Sequence, residues 1–231
     1  MGVYLFNIDL LDKVLWEDRG NTESSHDFGK DILPRLVADG SRVFAFPYSG
    51  YWVDVGTVDS YWKAHMDLLV EIPPIDLNDR SWVIHTRTEE RPPVRISSGA
   101  QVSDSMIADG CVLSPGAVVE RSILSPGVRV LPGAVVRESV VLTDAVIQSG
   151  ARVERSIIDK QVVVGENAVV GAIEPDRDPR ITMIGKNSVL PEKLIVEPGA
   201  VIATDVIPSD LSSSLVRSND YIQTKRLAYE V

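Results

Sequence analysis

The sequence predicts a parallel β-helix that follows a short α/β segment. Two observations carry this prediction. A phrase built on Gly-Ala or Pro-Gly-Ala recurs every 17 residues through the middle of the chain, and the residues before it alternate between strand-like and helix-like patterns. A fixed short period is typical of a solenoid, in which one coil stacks on the next.

Each copy of the repeat has the same small and branched residues at fixed places. Five successive copies have alanine after the glycine (Asn167 takes the glycine's place in the fifth), and valine two residues later. These columns are Ala100, Ala117, Ala134, Ala151 and Ala168, then Val102, Val119, Val136, Val153 and Val170. The residue between them varies, so the pattern has the period of two that is typical of a strand with one buried face.

Two further aliphatic columns, at 106–107 and 111–113 in the first copy, complete three β-segments per coil. Gly, Pro, Ser and Asp between them supply the turns. Coils stack at about 4.8 Å, and one coil cannot bury its own Val and Ile. We therefore predict about five coils over 94–171. An inserted loop near 172–183, a resumed coil from Ile184 to Ile202 and a polar tail with a short helix near Tyr221–Tyr229 are expected to follow.

The first 70 residues do not follow the repeat. In chain order, the apolar patterns predict a strand at Gly2–Phe6, a helix at Leu10–Trp16, a helix beginning at Phe28, strands at Arg42–Phe46 and Tyr51–Val55, and a helix ending near Val70. Asp27 and Thr57 are the expected N-caps of the last two helices. Pro34 predicts a kink or a late start in the first of these.

This α/β segment is too short to cover its own sheet. It is expected to be a fragment of a larger domain, or to dock on another chain. Pro73-Pro74 and Pro92-Pro93 mark a linker. The predicted domains are therefore 1–70, the linker 71–93, and the β-helix with its insertion and tail over 94–231.

Composition excludes several classes of protein. A net charge of −10 argues against a nucleic-acid-binding surface, and no apolar run is long enough to span a membrane. We expect no signal peptide at the N-terminus. The single cysteine, Cys111, lies in an aliphatic column, which predicts a core residue and agrees with a cytoplasmic location.

Four strings in the α/β segment resemble those of glucose-1-phosphate adenylyltransferase (ADP-glucose pyrophosphorylase) of the bacterial type. They are GVYLF at 2–6, SSHDFGKDILP at 24–34, YWVDVGT at 51–57 and SYWKA at 60–64. The resemblance covers essentially the whole chain, but only the C-terminal part of the family's length. It implies the end of a Rossmann-like nucleotidyltransferase sheet, followed by a left-handed parallel β-helix of hexapeptide-type repeats.

The family converts ATP and glucose 1-phosphate to ADP-glucose and pyrophosphate, in glycogen biosynthesis. Its Gly-rich loop G-x-G-T-x-L-x-P-L-T and its F-V-E-K-P stretch, which bind the triphosphate and the sugar phosphate, do not occur in this sequence. We therefore expect the isolated chain to lack activity. Its expected partners are a second copy, in a homotetramer as in the family, or a complementing N-terminal chain.

The resemblance also assigns site residues. Asp54 is the expected catalytic residue and Mg²⁺ ligand, together with an aspartate from the absent half. Gly2, Tyr4, Asp27, Phe28 and Trp52 match the glucose 1-phosphate pocket. Without the resemblance, Asp54 is interpreted as a turn residue, Asp27 as a helix cap, and the aromatic residues as core.

Two other interpretations stay open. The chain is alternatively a non-catalytic regulatory or oligomerisation subunit of the same family. A hexapeptide-repeat acyltransferase is a weaker hypothesis, because such enzymes place a catalytic histidine in or beside a coil. All three histidines here (His26, His65 and His85) precede the repeats.

Overall fold

The computed structural model describes residues 2–86, 89–171 and 180–227. These residues form two compact units, Met1–Trp52 and Val53–Val231. The helix at Val58–Met66 therefore belongs to the same unit as the β-helix. The predicted domain bounds stay a prediction.

The first unit is built on two helices joined by a turn. Helix α1 spans Ile8–Arg19 and is capped by Asn7, whose side chain accepts the Asp9 N–H. A π-helical turn at Phe28–Ile32 leads directly into α2, Leu33–Ala38. Both predicted helices are confirmed. Pro34 lies in the first turn of α2, where its missing N–H costs no intrahelical hydrogen bond.

The predicted strands at Gly2–Phe6, Arg42–Phe46 and Tyr51–Val55 are wrong for the described residues. These segments join no ladder, and several of their apolar side chains face solvent: Leu5, Phe44 and Phe46 are more than 80% exposed. Residues of strand-like pattern become a strand only when a neighbouring backbone pairs with them. The described part of the chain provides no such neighbour.

The second unit begins with α3, Val58–Met66, which continues as a 3₁₀ turn over Asp67–Leu69. Thr57 caps α3 as predicted. Its hydroxyl accepts the Ser60 N–H, and the Ser60 hydroxyl accepts the Thr57 N–H, so the two residues form a capping box.

The rest of the second unit is a parallel β-solenoid of three sheets, which confirms the predicted fold class. Sheet 1 contains Arg95–Ile96, Val112–Leu113, Arg129–Val130, Val146–Ile147 and Val163–Val164. Sheet 2 contains Gln101–Ser103, Val118–Glu120, Val135–Arg137, Arg152–Glu154, Val169–Gly171, Ile195–Val196 and Leu215–Val216. Sheet 3 contains Met106–Ile107, Ile123–Leu124, Val140–Val141, Ser156–Ile158, Thr182–Ile184, Val201–Ile202 and Tyr221–Ile222.

The repeat sets the strand register. Val102 pairs with Val119, Val119 with Val136, and so on along the column, with every pair parallel. From the second coil onward, the predicted alanine and valine columns are fully buried. Cys111 is also fully buried, and its thiol donates to the Ser125 carbonyl at 3.2 Å. Burial raises the pKa of this thiol, as expected for a core cysteine.

A ladder of serines supports the corner between sheets 2 and 3. Ser105, Ser122, Ser139 and Ser156 each donate to the carbonyl two residues earlier, at 2.6–2.8 Å. The first three also each accept, at 3.1 Å, the backbone N–H of the serine one coil later. The hydroxyls thereby satisfy the serine N–H groups, while the carbonyls of Ser103, Glu120 and Arg137 each also accept an N–H of the next coil.

Helix α3 packs on the outer face of sheet 3. Met66 forms a cluster with Val140, Ile157 and Ile181, and Tyr61, Trp62 and Leu69 pack against it. The Trp62 indole N–H donates to the Glu138 carbonyl at 2.7 Å, and the Arg155 guanidinium lies 4.5 Å from the centre of its ring. The apolar face of α3 thus packs on the solenoid.

The end of the predicted linker is fixed to the solenoid. Arg91 forms a two-pronged ion pair with Asp144, with nitrogen–oxygen distances of 2.6 and 3.0 Å, and the Pro92 carbonyl accepts the Gly110 N–H. The Arg91 guanidinium holds the pKa of the Asp144 carboxyl below its usual value.

Two predictions for the end of the chain need correction. Thr182–Ile184 is a strand that pairs with Ser156–Ile158, so the insertion ends before Thr182, while 172–179 lie outside the described residues. The tail forms strands at Leu215–Val216 and Tyr221–Ile222 in place of the predicted helix near Tyr221–Tyr229. The last part of that prediction, 228–229, lies outside the described residues. The final coils are longer than 17 residues, which hid their repeat. The described residues include no helix that is long and apolar enough to cross a membrane.

The close stacking of coils is testable at Gly185. A Cβ there would lie 2.5 Å from the Ala203 carbonyl carbon and 2.6 Å from the Thr204 nitrogen, whereas a Cβ at Gly133 meets nothing within 4 Å. We expect Gly185→Ala to lower the free energy of unfolding by about 3 kcal/mol, since backbone must move. Gly133→Ala should cost about 1 kcal/mol, because only its positive φ is strained. Equal losses in urea unfolding would contradict this account.

The serine ladder predicts a second difference. Ser139 is fully buried, so Ser139→Ala should cost about 2 kcal/mol by leaving the Ser156 N–H unsatisfied, while the Arg137 carbonyl keeps its bond from the Arg155 N–H. Ser105 has the same bonds but is only half-buried, so water can replace its hydroxyl. Ser105→Ala should therefore cost less than about 1 kcal/mol. Thermal and urea unfolding of both variants would measure the difference, and a Ser139→Ala variant as stable as Ser105→Ala would refute it.

Candidate functional site

The first unit has a small core that sets the direction of the turn before α2. Val14, Ile32 and Leu36 are buried together, and Phe6, Leu10 and Phe28 pack against them. Because Phe28 is held in this cluster, the residues on either side of it lie at the surface. Asp27 is exposed, and Tyr4 keeps 40% of its surface accessible.

Asp27 caps the helical turn. Its Oδ1 accepts the N–H groups of Gly29 and Lys30, each at 2.8 Å, and its backbone is extended, with φ of −103° and ψ of 132°. Both bonds use the same oxygen. Oδ2 is therefore left for solvent or a ligand, as far as the described residues show.

Tyr4 and Phe28 lie beside this carboxylate. Their rings stack with centroids 5.6 Å apart and planes 23° from parallel. A Cβ on Gly29 would lie 3.3 Å from Asp27 Oδ1 and 3.9 Å from the Tyr4 hydroxyl, so the two polar groups flank a residue without a side chain. The structure thus brings together Tyr4, Asp27 and Phe28, which offer a carboxylate, a phenol and an aromatic surface. Such groups suit a hydroxylated ligand with apolar C–H faces.

The other two predicted pocket residues of this unit are exposed. Gly2 has open space around it, and Trp52 is 51% exposed. In the described part of the chain, no hydrogen bond or ring contact joins either residue to Tyr4, Asp27 or Phe28. Their assignment to the pocket remains a prediction from the resemblance.

Asp54 belongs to the second unit. It is exposed, and its Oδ1 accepts the Gly56 N–H at 3.1 Å in a turn that leads to the Thr57 cap. A free carboxylate oxygen is a suitable ligand for Mg²⁺. However, the described residues contain no group of three or more His, Cys, Asp or Glu side chains that could hold a metal ion. Asp54 offers a single carboxylate, and its assignment as a Mg²⁺ ligand stays a prediction from the resemblance.

The sequence analysis missed a polar cluster next to Asp27. Asp18, on α1, is 95% buried, with 5% of its surface accessible, and its two oxygens are bound by the Ser24 hydroxyl and His26 Nδ1, both at 2.7 Å. These two hydrogen bonds hold the pKa of Asp18 below its usual value, and the bond with His26 has the larger effect. Nothing in the sequence signalled this cluster, since Asp18 and His26 are eight positions apart across a turn.

The second unit has a shallow cleft of about 350 Å³ between the start of α3 and sheet 3. Its lining is mainly apolar, with the Tyr61 hydroxyl and the Asp159 carboxylate as polar groups. Burial is the main cause that raises the pKa of the Tyr61 hydroxyl, and the negative charge of Asp159 adds to it. None of the predicted site residues lines the cleft.

Comparison with known proteins bears on both parts of the chain. Residues 1–71 match a family model described as nucleotidyl transferase, and residues 93–190 match one described as GlmU-like, C-terminal hexapeptide. A glucose-1-phosphate adenylyltransferase of Thermotoga maritima is 44% identical over 237 residues, which cover 96% of this chain and 54% of the relative. One of Pseudothermotoga lettingae is 40% identical over 233 residues, covering 97% and 55%.

The chain is a homologue of the glucose-1-phosphate adenylyltransferases. One of Geobacillus stearothermophilus is 52% identical over 124 residues, which cover 54% of this chain and 32% of the relative. The chain spans about half the length of the Thermotoga and Pseudothermotoga adenylyltransferases that it matches. The family is one of nucleotidyltransferases, and the order of the two matched regions agrees with the α/β segment and the β-solenoid of the structure.

The capping role of Asp27 can be separated from its charge. Asp27→Ala removes the acceptor of two backbone N–H groups and should destabilise the start of α2 by about 1 kcal/mol. Asp27→Asn keeps an acceptor oxygen and should destabilise the turn by only about 0.3 kcal/mol. Native-state amide exchange across 29–38 would measure both. If the asparagine variant loses as much as the alanine variant, the charge and not the hydrogen bonds stabilises the turn.

Proposed function

We propose that this chain carries the sugar-phosphate side and the β-helix of a glucose-1-phosphate adenylyltransferase. The complete enzyme would form ADP-glucose and pyrophosphate from ATP and glucose 1-phosphate, in the cytoplasm, for glycogen biosynthesis. The observation that carries the proposal is the exposed group of Tyr4, Asp27 and Phe28, found in a homologue of such enzymes.

In this proposal the three residues bind and orient the glucose ring. Asp27 Oδ2 accepts a hydroxyl of the sugar while Oδ1 stays on the Gly29 and Lys30 N–H groups, so the carboxylate cannot rotate freely. The rings of Tyr4 and Phe28 offer apolar surface to the C–H faces. Gly2 allows close backbone approach, and Trp52 adds a further aromatic face.

Asp54 is proposed as the residue through which this chain contributes to the chemical step. One of its oxygens is held by the Gly56 N–H, and the other is proposed to bind Mg²⁺. When bound, Mg²⁺ neutralises charge on the phosphate oxygens during nucleotidyl transfer. The second carboxylate and the groups that hold the triphosphate are proposed to come from a nucleotide-binding half that the described residues do not contain.

A second candidate function is that of a non-catalytic assembly subunit. The outer face of sheet 2 carries a column of incompletely buried apolar residues, and one of them, Ile195, is 44% exposed. The others are Val118, Val135, Val169 and Leu215, and the exposed Arg152 interrupts the column between Val135 and Val169. Such a column favours packing against another chain, and it supports a homo-oligomer, with a homotetramer as the form expected for the family.

The proposal predicts complementation. The purified chain alone should form no ADP-glucose from ATP, glucose 1-phosphate and Mg²⁺. Mixing it with the separately expressed nucleotide-binding half of the Thermotoga maritima relative should restore activity. Asp54→Asn should then lower kcat by about 100-fold or more, as for other groups that stabilise developing charge. Asp59→Asn, an equally exposed aspartate on α3, is the matched control and should have little effect.

The alternatives predict other outcomes. Activity of the chain alone would show that its residues suffice to bind ATP, which the proposal denies. A mixture that stays inactive, together with a chain that forms a stable oligomer in light scattering and does not bind glucose 1-phosphate, would favour the assembly subunit.

A further inference from the structure

Asp18 is a buried carboxylate with a complete set of partners. Only 5% of its surface is accessible, and the Ser24 hydroxyl and His26 Nδ1 bind one oxygen each. Burying a carboxylate is unfavourable unless hydrogen bonds or an opposite charge compensate it. An exposed position on α1, such as that of Asp12, would avoid this cost. The cluster therefore requires an explanation beyond the stability of the helix.

The partner of Asp18 has an unusual backbone. His26 has φ of 58°, in the left-handed region that residues other than glycine rarely adopt. Two contacts hold it there: the ring binds Asp18, and the His26 N–H donates to the Ser24 hydroxyl at 3.0 Å. A conformation of this kind persists only where the surroundings determine it, and such residues cluster at functional sites.

The next residue along the chain is Asp27. Its N–H donates to Asp31 Oδ2 at 3.1 Å, and the Ser25 hydroxyl donates to the same oxygen at 2.6 Å. The segment from Ser24 to Asp27 is thus held between two carboxylates, Asp18 on one side and Asp31 on the other. Because the left-handed turn at His26 sets the direction of the following residue, it also sets where the free oxygen of Asp27 points.

We propose that Asp18, acting through His26, is a positioning residue that sets the direction of the Asp27 carboxylate for the sugar. This inference rests on the proposed function of Asp27. In the described residues, Asp18 and Asp31 are the charged groups whose hydrogen bonds hold the segment from Ser24 to Asp27. Neither of them is proposed to contact the sugar. The ring of His26 connects the turn to Asp18 on α1. Ser24 bonds both the Asp18 carboxylate and the His26 N–H.

A double-mutant cycle on the full chain tests the proposal. The dissociation constant of glucose 1-phosphate would be measured by calorimetry or NMR for the wild type, Asp18→Asn, Asp27→Asn and the double variant. We expect Asp18→Asn to weaken binding about tenfold. The double variant should bind no more weakly than Asp27→Asn alone, because Asp18 acts only through Asp27. Asp12→Asn, the same change on the exposed side of α1, should leave binding unchanged.

A second measurement needs no ligand. The amide protons of Gly29 and Lys30 report the two hydrogen bonds to Asp27 Oδ1. In Asp18→Asn these amides should shift and exchange faster, while amides in the middle of α1 keep their protection. In Asp12→Asn neither set should change. Unfolding midpoints of all variants would be measured alongside.

The outcomes separate the two proposals. Additive losses in the cycle, or unchanged Gly29 and Lys30 amides in Asp18→Asn, would overturn the positioning role. Failure of the wild type to bind glucose 1-phosphate, or normal binding by Asp27→Asn, would instead overturn the proposed function. In that case, altered Gly29 and Lys30 amides would still support the positioning of Asp27 by Asp18.

Discussion

The β-solenoid depends on one constraint: a coil of three short strands cannot bury its own interior, so every coil must pair with its neighbours in one register. That register carries the inward Ala and Val columns from coil to coil and, from the second coil onward, leaves them without contact with water. It also places each corner serine under the next, where a hydroxyl can serve the backbone of two coils. The first change in coil length comes after Gly171, and pairing with the preceding coil resumes at Thr182.

The features that the sequence predicted well are those that local or strictly periodic patterns determine. The inward positions of the repeat predict the sheets, and Asp27 and Thr57 cap the turns that they precede. Segments whose structure depends on a distant partner were not predictable. The strand-like segments of the first unit lack a pairing neighbour, and the last coils depart from the 17-residue period. For the candidate site, the family resemblance and not the residue pattern named Tyr4, Asp27 and Phe28, and their role stays a prediction. Asp18 could not be found from the sequence, because only the turn brings it to His26.

The second unit ties the Asp54 turn to the solenoid through α3. Gly56, whose N–H bonds Asp54, directly precedes Thr57, and the capping box at Thr57 begins α3. Farther along α3, Trp62 bonds the Glu138 carbonyl and stacks on Arg155. A change in the spacing of the coils at this corner would therefore displace Trp62, and with it the start of α3. The first unit, by contrast, relies on its own small cluster around Ile32.

The charged residues at the same corner alternate in sign from coil to coil. Arg137 bonds Glu120 at 3.1 Å and lies 3.8 Å from Glu154, while Glu138 lies 3.5 Å from Arg121 and 3.4 Å from Arg155. Surface ion pairs of this kind add little stability. The inward Ala and Val columns of sheet 2, however, are identical in successive coils, so they cannot distinguish one neighbouring coil from the next. If a coil were skipped during folding, Glu120 would meet Glu154 and Arg121 would meet Arg155, so the corner charges favour the correct order of coils over its nearest mistake.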